Sequence, residues 1–160
     1  MLEHTLVLIK PDGVRRHLIG EILARLEKAC LKIVAMKMVI PSPEIINTHY
    51  SEDIAKRRGE HVRKKLVNDF SNRPVVAVVF EGVSAIEVVR KIVGDTEPKK
   101  ALPGTIRGDY GHYSFDYADV KNIALPNIIH ASGNKQDAER EISIWFSKSE
   151  LCSYKSIHEA

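Results

Sequence analysis

Three short stretches of this sequence concentrate side chains able to do chemistry. Lys10-Pro11-Asp12-Gly13 follows an apolar run, so the Lys10 ammonium would stand at the end of a strand, as a phosphate ligand would. Taken alone, it reads as a solvated strand end. Pro103-Gly104-Thr105-Ile106-Arg107-Gly108-Asp109 brackets a threonine and an arginine between two glycines. Glycine lets a backbone approach an anion closely, and a guanidinium offers a forked donor. The alternative is an ordinary surface turn. The third stretch, Asn127-Ile128-Ile129-His130-Ala131-Ser132, places His130 at the close of an apolar run. An imidazole projecting from a strand end into a cleft is largely neutral at pH 7 and can serve as a nucleophile. A single isolated histidine is otherwise a hydrogen-bonded structural group, and His4, His17, His49, His61, His112 and His158 are read that way.

One spacing raises His130 above the others. Glu141 lies three residues after Ala138 and four before Trp145, so it flanks the apolar stripe of a helix rather than facing water. An inward carboxylate needs a partner, and orienting a histidine is one such role. Pairing with one of the many Lys and Arg residues is the other. The familiar glycine-rich phosphate motifs, the HRD and DFG kinase signatures, H-E-x-x-H and zinc-like Cys/His clusters are all missing.

These groups need a scaffold, and the hydrophobic pattern supplies one. Thr5 to Ile9 reads as a buried strand ended by a turn, and Ile19, Ile22, Leu23, Leu26 and Ala29/Cys30 recur with helical spacing. Lys32 to Ile40 alternates as a strand. Pro41-Ser42-Pro43 then starts a short helix to about Tyr50, with Ser42 as N-cap and Pro43 at the first helical position. After a polar stretch, Val62, Leu66, Val67 and Phe70 mark another helix, and Pro74 to Glu81 a third strand. Ser84 and Glu87 form a capping box, and Val83 with Val88 a hydrophobic staple, for a helix that Gly94 ends near Val93. A loop follows from Asp95 to about Asp109. Ile123 to His130 is expected to be the final strand. Asn134 or Ser132 caps a last helix carrying Ala138, Ile142, Trp145 and Phe146. Alternating helices and strands mean a mixed α/β domain, either a ferredoxin-like antiparallel sheet or a small doubly wound one, and periodicity leaves both open.

The chain has 160 residues, one domain's worth, with 44% hydrophobic and 28% charged residues, which excludes disorder, collagen and coiled coil. Lys and Arg exceed Asp and Glu by only three, too little for nucleic-acid binding by bulk charge. The stretch Lys56 to Lys65 is basic, and a solvated helix face accounts for it. Cys30 and Cys152 form neither a disulfide framework nor a metal site by spacing, which fits a reducing cytosol. The start lacks a signal-peptide pattern, and the longest apolar run noted, Val75 to Phe80, is far short of a membrane span. A cytoplasmic protein is expected.

Taken together, Ile9-Lys10-Pro11-Asp12-Gly13, His49-Tyr50, the Pro103 to Asp109 loop and Asn127 to Ser132 resemble the nucleoside diphosphate kinase family. The resemblance runs from about Thr5 to Glu150 and includes Glu139-Arg140-Glu141-Ile142 through Trp145-Phe146. It implies a ferredoxin-like α/β sandwich with a four-stranded antiparallel sheet; the chain's length gives one domain over residues 1–160, and its residues a polar tail from about residue 147. It implies ping-pong transfer of a γ-phosphate from a nucleoside triphosphate to a diphosphate through a phosphohistidine at His130. On the family's motif, Lys10, Arg90, Thr96, Arg107 and Asn127 fall on nucleotide-contacting positions, with Tyr50 beside the histidine and Ser132 and Glu141 supporting it. Mg²⁺ would ride on the nucleotide phosphates, with few or no protein ligands. A homo-oligomer is implied, a hexamer or a tetramer. A catalytically silent relative, acting as a binding or regulatory module, is the alternative function.

Two stretches depart from the family pattern. Where the family commonly places a base-stacking Phe after its His-Tyr pair, this chain is longer, and counting back from Pro74 puts Val62 at that position. Valine offers apolar contact without a π face, so weaker nucleotide binding is expected. The link at 110–125 is also longer than usual. Its aromatics Tyr110, Tyr113, Phe115 and Tyr117 would line the nucleotide cleft or, the reading preferred here, touch a neighbouring subunit.

Overall fold

The computed structural model describes residues 2–157, so His158 lies outside the described residues. Its centre is a four-stranded sheet in the order β2-β3-β1-β4, built from β1 (Leu2–Ile9), β2 (Lys32–Val39), β3 (Val75–Val83) and β4 (Ile129–Ala131). Every pairing is antiparallel, which makes the fold the ferredoxin-like α/β sandwich and removes the doubly wound alternative. The central strands β1 and β3 are apolar and buried over Leu6–Ile9 and Val75–Phe80, where both faces are covered. Val7, Ile9, Val76, Val78 and Phe80 enter one core, and Leu6, Leu8, Val75, Ala77 and Val79 enter the other. Strand β2, at the edge, leaves Met36 and Met38 exposed.

Helices α2 (Ile19–Lys28), α6 (Ala85–Val93) and α7 (Ile106–Tyr110) supply residues to the first core. The second is closed by α3 (Pro43–His49), α5 (Glu60–Phe70) and α9 (Lys135–Trp145). The remaining α-helices among the described residues are α1 (Pro11–Arg15), α4 (Glu52–Arg58) and α8 (Phe115–Val120). Local chemistry sets several ends. Ser42 Oγ accepts the Ile45 N–H, and Asn134 Oδ1 accepts the Asp137 N–H, so Asn134 and not Ser132 caps α9. The polar stretch before Val62 folds as α4, divided from α5 by Gly59 at φ 93°, where a side chain would be strained.

Several expectations are corrected. The capping box at Ser84 does not form: Ser84 sits at φ 51°, and the Ile86 N–H reaches instead to Glu3 Oε2 at 3.4 Å. Val83 stands exposed, a poor anchor for a staple. The strand expected over Ile123 to His130 shrinks to β4, because Ile128 is left-handed at φ 74°, a geometry that cannot continue a pleat. The turn after Lys10 is a helical one, α1, with Pro11 at its first position. The Asp95 to Asp109 loop contains a 3₁₀ turn, Pro98–Lys100, before α7. The polar tail is tied to the sheet edge: Cys152 N–H donates to Val34 O, and Tyr154 Oη–H to Ile33 O. Among the described residues, no helix is long and apolar enough to cross a membrane.

Candidate active site

The register of β4 against β1 sets the direction of the central histidine. His130 pairs with Leu8, so its side chain shares Leu8's face of the sheet, the face covered by α3 and α9. Those helices carry His49 and Glu141. Glu141 Oε2 lies 3.0 Å from His130 Nε2 and accepts the Ser132 hydroxyl at 2.6 Å. Only 4% of Glu141 is exposed. Burial raises its carboxyl pKa, but the His130 ring, His49 and the Ser132 hydroxyl outweigh that and hold it at about 2. The ionised carboxylate therefore binds Nε2–H, which leaves Nδ1 of His130 as the nitrogen with a free lone pair.

The ring beside it was undervalued by sequence reasoning. His49 is 2% exposed, and its ring meets His130 edge-to-face, with centroids 4.6 Å apart. Its Nδ1 accepts the Trp145 indole N–H at 3.1 Å, so the proton of the neutral ring sits on Nε2, which finds no hydrogen-bond partner among the described residues. Burial, aided by His130, drives the His49 pKa down to about 3. The His49, His130 and Glu141 donor atoms lie within 4.8 Å of one another. A metal bound at His49 Nε2 would require the proton on Nδ1, where it would oppose the indole N–H. The set also suits a hard cation poorly, since Mg²⁺ takes oxygen donors. One signal for His49 was present: it follows the buried Ile46 by three residues on α3 and so shares its inward stripe.

A cavity of about 630 Å³ opens in front of His130, and Lys10, Tyr50, Arg90, Thr96, Arg107 and Asn127 line it. Lys10 is no solvated strand end. It is 2% exposed, with its ammonium 3.0 Å from Asn127 Oδ1 and 3.3 Å from Leu125 O. Burial lowers its pKa, and Asp12 and Asp69 oppose that shift. Asn127 spans the site, since its Nδ2 donates to Thr96 O. Arg107 donates to the carbonyls of Asn127, Gly94 and Ile129. Of its five N–H bonds, two remain for a ligand. Burial and neighbouring Arg90 lower the Arg107 pKa to about 10, which keeps it cationic at neutral pH. Tyr50 is buried between His49 and Phe70, and burial raises its phenol pKa. Val62 lines the same cavity, as do Arg58 and Phe115.

Asp12 holds the segment that leads into His130. Its Oδ2 accepts the Ile128 N–H at 2.9 Å, while the Lys10 N–H donates to Ile128 O at 2.8 Å. Those bonds clamp the left-handed Ile128, two residues before His130, from both sides. A Cβ on Gly13 would lie 2.9 Å from Ile128 O, so glycine is what permits the approach. Of the aromatics in the longer link, Phe115 lines the cavity, Tyr110 lies under the Arg25 guanidinium, and Tyr113 packs against His112 and Tyr117.

A half-buried imidazole, held by a buried carboxylate and facing a pocket with two converging cations, can accept and release a phosphoryl group. Comparison with known proteins agrees. Residues 3–151 match a family model described as nucleoside diphosphate kinase. A nucleoside diphosphate kinase of Borreliella burgdorferi is 50% identical over 156 residues, covering 97% of this chain and 93% of its own length. One from Pyrococcus furiosus is 49% identical over 153 residues, covering 96% and 88%. Among solved structures, a transition state mimic of the Borrelia burgdorferi enzyme with bound vanadate and ADP superposes with a TM-score of 0.97 at 50% identity, covering 99% of this chain and 95% of that one. A Pyrobaculum aerophilum NDP kinase gives 0.88 at 37% identity, covering 96% and 100%.

Proposed function

Because the chain belongs to the nucleoside diphosphate kinase family, we infer that it moves the γ-phosphate of a nucleoside triphosphate to a nucleoside diphosphate, reversibly, through a phosphohistidine at His130. One observation carries the assignment of the nucleophile: Glu141 occupies Nε2 of a ring that lines a cavity with lysine and arginine, which leaves Nδ1 as the nitrogen to attack. The Nδ1 lone pair attacks the γ-phosphorus, an N–P bond forms, and the bond to the bridging oxygen breaks, releasing the diphosphate. No proton has to move. Nε2 keeps its hydrogen, and the positive charge gained by the ring falls against ionised Glu141. The second half-reaction is the reverse, with a different diphosphate as acceptor.

Phosphoryl transfer leaves little covalent work to the protein beyond positioning and charge stabilisation. Lys10 and the two remaining N–H bonds of Arg107 supply the charge, Arg90 adds to it, and Asn127 and Thr96 fix Lys10 and the rim. Ser132 holds the Glu141 carboxylate, and Tyr50 packs beside the reacting ring. The nucleotide would enter as its magnesium complex, with the cation carried by the phosphates. The same reading proposes one domain over the whole chain, a cytoplasmic protein and a homo-oligomer, hexameric or tetrameric. A catalytically silent relative is disfavoured because the cavity retains nucleophile, carboxylate and cations together.

Initial rates with ATP as donor and a second nucleoside diphosphate as acceptor test this reading. Parallel double-reciprocal lines are expected for a ping-pong reaction. Intersecting lines would indicate a ternary complex and would remove the phosphohistidine.

A further inference from the structure

The cavity is lined by two chemically different sets of side chains. Lys10, Arg107 and His130 serve the transfer of a phosphoryl group, whereas Ile54, Val62, Leu66, Phe115, Ala118 and Ile123 have no part in it. We propose that Phe115, on the inserted helix α8, is the aromatic face on which the nucleobase stacks. This rests on the nucleotide reading of the cavity and assigns the part of the nucleotide that the chemistry leaves unused.

Four rings line the cavity: Tyr50, His61, Phe115 and His130. Tyr50 is enclosed by His49 and Phe70, His130 is the proposed nucleophile, and His61 is exposed. Phe115 is half-buried and firmly placed. Its N–H donates to Oε1 of buried Glu97 at 2.9 Å, and Ser114 Oγ accepts the Tyr117 N–H one turn on. Val62 adds apolar surface from α5 but no π face.

The Phe115 ring already carries a flat, π-bonded cation. The Arg58 guanidinium lies over it, 5.1 Å from the ring centroid, and Lys65 reaches Asp119 at 3.5 Å nearby. Helices α4 and α5 are thus joined to α8 across the mouth of the cavity. Arg58 is exposed, so it can leave at little cost, and a base is a planar group of the same kind as the guanidinium it would displace. The aromatic surface missing at Val62 on α5 is in this way supplied by α8.

Kd values for ADP and for ribose 5-diphosphate, measured by calorimetry on the full chain, provide the test. Stacking on one aromatic ring is worth about tenfold in affinity. Phe115→Ala is therefore expected to weaken ADP about tenfold and leave the base-free ribose 5-diphosphate unchanged, while Phe115→Tyr restores ADP binding. The loss should be larger for ADP than for CDP, because a purine covers more of the ring. Unchanged ADP binding overturns the proposal. So does equal weakening of both ligands, which would mean only that α8 had shifted. A wild-type protein that binds neither ligand overturns the nucleotide reading itself.

Discussion

Replacing His49 by asparagine should flatten the acid limb of this protein's stability profile. In the folded chain the His49 ring is buried and neutral, with its pKa held near 3, whereas in the unfolded chain it titrates near its ordinary 6.5. Between those values the unfolded state holds one more proton, so acid favours unfolding and stability rises with pH. Each unit of difference is worth about 1.4 kcal/mol. From pH 7 down to about pH 5, His49 alone should remove about 2 kcal/mol, a large part of a typical domain's margin. Asparagine keeps an acceptor for the Trp145 indole and does not titrate. It leaves part of the ring's volume empty, a loss of about 1–3 kcal/mol that does not depend on pH. Urea unfolding of both proteins at several pH values, at fixed ionic strength and protein concentration, separates the two effects. The wild-type advantage over His49→Asn is expected to shrink by about 2 kcal/mol as the pH falls to about 5. Parallel profiles would refute a buried, neutral His49.

Other substitutions test neighbouring parts of the account. Glu141→Gln removes the charge facing the ring and should slow phosphoryl transfer by about 10²-fold, read as single-turnover labelling of the protein by ATP. Lys10→Ala should lower kcat by a similar ~10²-fold while the fold survives, checked by circular dichroism. Asp12→Ala leaves the Ile128 N–H without its acceptor and should cost about 1–3 kcal/mol of stability, seen in thermal melts, together with a fall in kcat. Arg107→Lys keeps the charge but cannot reach three carbonyls at once, so it should lower both Tm and kcat.

The parts of the fold legible in the sequence are those fixed by short-range pattern. The apolar runs within Thr5–Ile9 and Pro74–Glu81 announced β1 and β3, and Ser42-Pro43 announced the start of α3. Pattern failed where a distant group replaced a local one. Glu3 supplies the bond to Ile86 that Ser84 was expected to organise, and a clamp from Lys10 and Asp12 holds Ile128 in a conformation that β-branched residues avoid. The inward carboxylate of Glu141 was visible from its helical spacing. The contact of His49 with His130 was not legible and the place of Phe115 stayed open between cleft and neighbouring subunit, because each depends on elements far apart in sequence: Trp145 for one, Glu97 and Arg58 for the other.

The most direct test of the phosphohistidine is to incubate the purified protein with γ-labelled ATP and no acceptor. The account predicts a phosphoprotein whose label is lost in acid, survives alkali, passes to an added nucleoside diphosphate and is absent from His130→Ala. Full labelling of His130→Ala would contradict it.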